Sequence, residues 1–278
     1  MIDFRRLALA AALIALPALA RAADACGEVV SLRTHGSTTS RYAFARPSAP
    51  AAVALVLLPG GAGHLDLDER GCPRMLIGNS LVRSIPIFHE LGFVTALVDA
   101  PSDHAGGDGL AGFRTDRRHA EDLGKIIADV RARANTPVWM IGTSRGAISA
   151  VNAASRLSGP SAPDGLVLTS ALMLAEARSK RAWATQSVFD LPLEEIRMPV
   201  LVVGHEADTC IRSPANLMGN ITKRTKGARQ QVVLVAGGPG GTGLTSTEAC
   251  EGRSPHGFLD QEREVAAGIA RFIGGGKY

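Results

Sequence analysis

The sequence predicts an α/β fold in which a doubly wound, mostly parallel, eight-stranded sheet carries helices on both faces. Three observations lead there. Apolar runs at 53–58 and 93–98 hold almost no polar residue, as expected of strands covered on both sides. Such runs alternate with stretches of helical spacing, clearest in Ala120, Leu123, Ile127, Val130 and Ala134. The stretch 138–154 then passes from an apolar strand through Gly142-Thr143-Ser144-Arg145-Gly146 into a small-residue helix.

In chain order, residues 28–33 and 41–45 read as strands joined by the turn-rich link Thr34-His35-Gly36-Ser37-Thr38-Thr39. The strand at 53–58 ends in Pro59-Gly60-Gly61-Ala62-Gly63. Residues 80–91 suit a helix despite Pro86, with Leu81, Ile85, Phe88 and Leu91 on one side and Gly92 at the end. The strand at 93–98 precedes Asp99-Ala100-Pro101-Ser102, and the helix at 116–134 precedes the strand leading to Ser144. Three further strands are expected at 165–169, 200–204 and 231–236, and a last helix at 258–273. Loops at the carboxyl ends of parallel strands are where such sheets carry their sites.

Arg5 and Arg6 precede an apolar run at 7–16 that is short for a bilayer span, and Ala18-Leu19-Ala20 and Ala20-Arg21-Ala22 offer small-x-small cleavage points. Residues 1–22 therefore read as a signal peptide, and 23–278 as one domain of about 255 residues, enough for a large core. The expected location is the periplasm or the exterior, with no membrane association once the signal is removed. The formal charge is +4, and without Arg5, Arg6, Arg21 and Asp3 it falls to 27 basic against 25 acidic residues. That balance argues against nucleic acid as a partner. Oligomeric state is left open.

Cys26, Cys72, Cys210 and Cys250 form an even set, and export favours two disulfides among three possible pairings. With no Cys-x-x-Cys and no close Cys/His pair, no metal is expected. Residues 238–243 fit Gly-x-Gly-x-x-Gly, but polar Leu244-Thr245-Ser246-Thr247-Glu248 follows where a dinucleotide site needs a helix, so no cofactor is expected.

The Gly-x-Ser-x-Gly turn suits a serine held in a strained conformation at the carboxyl end of a sheet, above a helix N-terminus. Glycines on both sides let strand and helix approach closely. A serine hydroxyl becomes a nucleophile when a base removes its proton and an acid orients the base. Asp208 follows a strand and Gly204, with Glu206 as the rival acid in the same loop. His256 lies in Arg253-Ser254-Pro255-His256-Gly257-Phe258, before the last helix. His35, His89 and His119 read as surface or helix-face residues; His104 and His205, near strand ends, are candidates to line a cleft.

From about residue 28 to 273 the chain resembles the α/β-hydrolase family, in the manner of a serine esterase or dienelactone hydrolase. The resemblance rests on the Ser144 motif, the acid after a later strand and the histidine before the last helix, in that order. It implies Ser144 as nucleophile, His256 as base and Asp208 as acid. It also implies an oxyanion hole from the backbone N–H of Arg145 and of Gly61 or Ala62. Because the acid and histidine loops meet in this fold, it implies a Cys210–Cys250 bridge and hence Cys26–Cys72. A lid would be inserted at 170–197, which is long enough only for one helix and a loop, with Leu172, Met173, Leu174, Trp183 and Phe189 as pocket or core residues. A minimal lid suits small substrates. The expected function is an exported serine hydrolase that cleaves small-molecule carboxylic esters through an acyl-enzyme. The alternatives are a peptidase or amidase on the same triad, or a non-catalytic binding protein on this scaffold.

Overall fold

The computed structural model describes residues 26–278. The expected signal peptide, residues 1–22, lies outside this range.

Eight strands form one sheet: β1 (Glu28–Arg33), β2 (Thr39–Ala45), β3 (Val53–Leu58), β4 (Phe93–Val98), β5 (Val138–Thr143), β6 (Gly165–Thr169), β7 (Val200–His205) and β8 (Gln230–Val235). Their spatial order is β1-β2-β4-β3-β5-β6-β7-β8. β1 and β2 pair antiparallel, as do β2 and β4; every later pair is parallel. The helices are α1 (Ser80–Glu90), α2 (Arg117–Ala134), α3 (Gly146–Arg156), α4 (Met218–Arg224) and α5 (Glu262–Ile273).

Alternation along the central strands divides the core. On β3, Ala54, Val56 and Leu58 pack with Leu123, Ile127 and Val130 of α2 and Ile148 and Val151 of α3. Leu55 and Leu57 face the other way, with Leu81 and Phe88 of α1 and Val265, Ile269 and Phe272 of α5. A strand covered on both sides can be apolar at every position, which is why β3 and β5 read as uninterrupted runs.

Local chemistry sets the helix limits. The Asn79 carboxamide oxygen accepts from the Leu81 N–H at the start of α1, and Asp116 accepts from the Arg118 N–H at the start of α2. Asn135 closes α2 in the left-handed conformation, φ 54°. The last helix begins at Glu262 and not at 258. Residues 255–257 form a 3₁₀ turn, and left-handed Phe258 and Asp260 (φ 53° and 61°) break the helical path. The segment 170–197 contains no α-helix, contrary to expectation. It has three 3₁₀ turns, one closed by Ser187 and Asp190 in a capping box, and Pro192 interrupts it. Residues 236–247 form a loop with left-handed Gly237, Gly238, Gly240 and Gly243, and no helix opens there. Short α4 was not anticipated.

The chain runs from β3 to β4 on one side and then returns to place β5 on the other side of β3. The carboxyl ends of β3 and β5 thus flank the point where the winding reverses, which is where an open α/β sheet leaves a crevice. Pro59-Gly60-Gly61 and Ser144 both lie there.

Candidate active site

Ser144 occupies the turn between β5 and α3 with φ 52°, a left-handed conformation that is costly for a residue with a side chain. Surrounding packing enforces it. The Ser144 N–H donates to the Thr169 carbonyl at 2.9 Å. A Cβ on Gly146 would lie 2.0 Å from the Leu58 carbonyl oxygen, and one on Gly142 would lie 2.5 Å from that of Gly146. Only glycine allows β3, β5 and α3 to approach this closely.

Three distant side chains converge on this turn. His256 Nε2 lies 2.9 Å from Ser144 Oγ, and His256 Nδ1 lies 2.8 Å from Asp208 Oδ2. The side chains of His256 and Asp208 are each 3% exposed. The other Asp208 oxygen accepts from the Cys210 N–H at 2.8 Å, so the carboxylate is held at both ends. Glu206, its rival, is exposed to solvent. With Asp208 facing Nδ1, that nitrogen carries the proton and Nε2 is left to accept from the serine.

The backbone N–H groups of Gly61, Ala62 and Arg145 find no acceptor among the described residues. Gly60 packs against the serine, since a Cβ there would meet Ser144 Cβ at 2.8 Å. The loop is propped from beneath by Arg114. This arginine is 2% exposed, donates to the Pro59 and Gly61 carbonyls at 3.3 Å each and to Ser149 Oγ at 2.8 Å, and has no carboxylate partner. Burial, with the charge of Arg145, lowers its pKa to about 9, so it remains cationic at neutral pH.

The histidine turn is fixed by residues that the sequence did not mark. Ser170 Oγ donates to the His256 carbonyl at 2.7 Å. Arg83 on α1 donates to the carbonyls of Gly252 and Gly257, at 2.9 and 2.8 Å, and pairs with Glu262. These contacts bridge residues far apart in the chain, and a serine and a helix arginine carry no local signature of such a role.

Cys210 is bonded to Cys250, which ties the Asp208 loop to the segment preceding His256, and Cys26 is bonded to Cys72. Asp208, Cys210 and His256 lie within the reach of a single metal ion, but the disulfide removes the thiolate. His205 does not line the crevice: it is buried, lies 2.7 Å from Gln261 Oε1 and accepts from the Ala207 N–H. His104 stacks on Phe113 with centroids 4.2 Å apart. His119 is buried beside Ser149, 2.9 Å from its hydroxyl.

No protein-family model matches the chain, and no curated protein does. Solved structures do. A thermostable carboxyl esterase from Bacillus coagulans aligns with TM-score 0.60 at 12% identity, over 89% of this chain and 98% of that one. Dienelactone hydrolase from Anabaena variabilis aligns with TM-score 0.58 at 14% identity, over 90% and 97%. An α/β serine hydrolase without a lid from Xanthomonas campestris aligns with TM-score 0.51 at 18% identity, over 85% and 93%. At such identities the likeness is one of fold.

Proposed function

We propose that this chain, which has the α/β-hydrolase fold, is an exported serine hydrolase that cleaves carboxylic esters of small molecules. The observation that carries the reading is the unbroken line from Ser144 Oγ through the His256 ring to Asp208, with both links within hydrogen-bond distance. The esterase neighbours support it.

In this reading His256 Nε2 takes the Ser144 proton as Oγ attacks the ester carbonyl. Asp208 stabilises the imidazolium that forms and holds its tautomer. The tetrahedral oxyanion sits between the Arg145 N–H and that of Gly61 or Ala62, near the N-terminus of α3. His256 returns the proton to the departing alcohol oxygen and leaves an acyl-Ser144. Water, deprotonated by His256, then attacks this ester; the acid departs and Ser144 regains its proton.

Two disulfides support export, because such bonds persist in oxidising compartments. No helix among the described residues is long and apolar enough to cross a membrane. The test is turnover of p-nitrophenyl acetate and butyrate by the wild type and by Ser144→Ala. Hydrolysis lost in the variant supports the reading, and equal rates in the two proteins overturn it.

A further inference from the structure

The Arg145 backbone has a place in the scheme above, but its side chain does not. The guanidinium lies over the Trp183 ring, with Cζ 4.6 Å from the centroid. Arg212 and Arg181 approach the same ring, each at 5.9 Å. Arg212 is fixed by the Leu174, Ala184 and Gln186 carbonyls, so it cannot swing away without breaking these bonds.

No carboxylate among the described residues forms an ion pair with Arg145, Arg181 or Arg212. Among the described residues the Arg145 side chain makes no hydrogen bond, and neither it nor Arg212 has a carboxylate oxygen within 4.0 Å. Asp108 favours the Arg145 charge and Glu176 that of Arg212, but neither forms an ion pair with them. Behind them Arg114 also lacks a carboxylate. Elsewhere Arg83 is paired with Glu262, Arg131 with Asp164 and Arg133 with Asp129, while partly covered Arg229 instead donates to the Gly276 carbonyl and lies over the Phe272 ring. Burial and the charge of Arg212 lower the Arg145 pKa to about 10, so it stays cationic at neutral pH. None of its nitrogens is a buried unpartnered atom, so they remain open to solvent. Two guanidinium groups held over one ring, with no carboxylate paired to either, repel one another unless an anion enters. The planar fork of an arginine matches a carboxylate through two parallel N–H···O bonds.

We propose that Arg145 and Arg212, seated on Trp183, form a subsite for a carboxylate carried by the substrate, so that the preferred esters are anionic. This rests on the serine-hydrolase reading for its catalytic consequence but not for the binding itself.

Binding is tested in Ser144→Ala protein by titration with glutarate, following tryptophan emission. The chain has two tryptophans, and Trp139 is buried against α5; Trp183→Phe identifies the reporter. Saturable change with glutarate and none with dimethyl glutarate is expected, lost when Arg145→Gln is added and partly kept with Arg145→Lys. Turnover is compared within matched pairs: mono-p-nitrophenyl glutarate against its methyl ester, and 4-acetoxybenzoate against its methyl ester. The wild type is expected to favour the anion of at least one pair about tenfold at low salt, and Arg145→Gln to bring that ratio near one. Ratios taken within one protein are insensitive to the fraction folded. Neutral esters turned over at least as fast in both pairs, or glutarate binding equal with and without Arg145, overturns the subsite and leaves the hydrolase reading intact. Glutarate binding in a protein inert to all four esters keeps the subsite and overturns the hydrolase reading.

Discussion

Asp208 and Glu206 share one loop, and their surroundings separate them. Asp208 is 3% exposed at its side chain and hydrogen-bonded to His256, whereas Glu206 faces solvent. Asp208→Asn leaves the shape but is expected to lower kcat by about 10²–10⁴, since the amide no longer selects the productive tautomer or stabilises the cation. Glu206→Gln is expected to leave kcat unchanged, and steady-state kinetics on one ester check both. His119 gives a second expectation at this scale. Burial, reinforced by the Arg114 charge, lowers its pKa from 6.5 to about 3, so the folded protein holds it neutral. The unfolded chain takes up the proton as pH falls through 6.5, so this stability is complete above that value and is lost progressively toward 3. Between pH 7 and 5 the wild type is expected to lose about 2 kcal/mol more than His119→Gln, read from urea unfolding at both values. The residues named from sequence were those with a local signature: a serine between glycines, an acid after a strand, a histidine between proline and glycine. Arg114 and Ser170 act on carbonyls 53–55 and 86 positions away, and no local pattern encodes that.

At the scale of elements, the strands were legible because burial on two faces leaves continuous apolar runs, and α2 because its apolar residues recur at helical spacing. The start of α5 was not, because Phe258 looks like a helix residue in sequence yet adopts φ 53° beneath the His256 turn. The segment 170–197 was over-read as helical for a similar reason: its apolar residues are recruited by the core in extended and 3₁₀ stretches. Leu172 and Met173 are buried, whereas Leu174 is 40% exposed. The Cys210–Cys250 bond joins the loops that bear Asp208 and His256 across 40 residues. The double variant Cys210→Ser/Cys250→Ser is expected to lose about 2–4 kcal/mol of stability by denaturant titration. A parallel fall in kcat at temperatures where the variant is folded is expected, because the two loops then lose their common tether. Unchanged stability and kcat would remove the bridge from this account.

Over the whole molecule, topology and chemistry meet at one place. Reversal of the winding between β4 and β5 opens the crevice beside β3, the glycines at 60, 142 and 146 let three elements close around it, and later strands deliver the acid and the histidine. The antiparallel β1–β2 edge and the partly exposed β8 take no part in this arrangement. Which loops meet was foreseen from the resemblance to the α/β-hydrolase family, in which the acid and histidine loops converge on the nucleophile. Sequence order could not foresee the charge gathered near the crevice, since Arg114, Arg145 and Arg212 come from three separate segments.

In the proposed function, His256 makes Ser144 a nucleophile. The most direct measurement is the mass of the intact protein after reaction with a fluorophosphonate, followed by peptide mapping, in the wild type and in His256→Ala. A single adduct on Ser144 is expected, forming at least about a thousandfold more slowly in the variant. An unmodified wild type, or an adduct on Ser144 that forms equally fast without the imidazole, would contradict it.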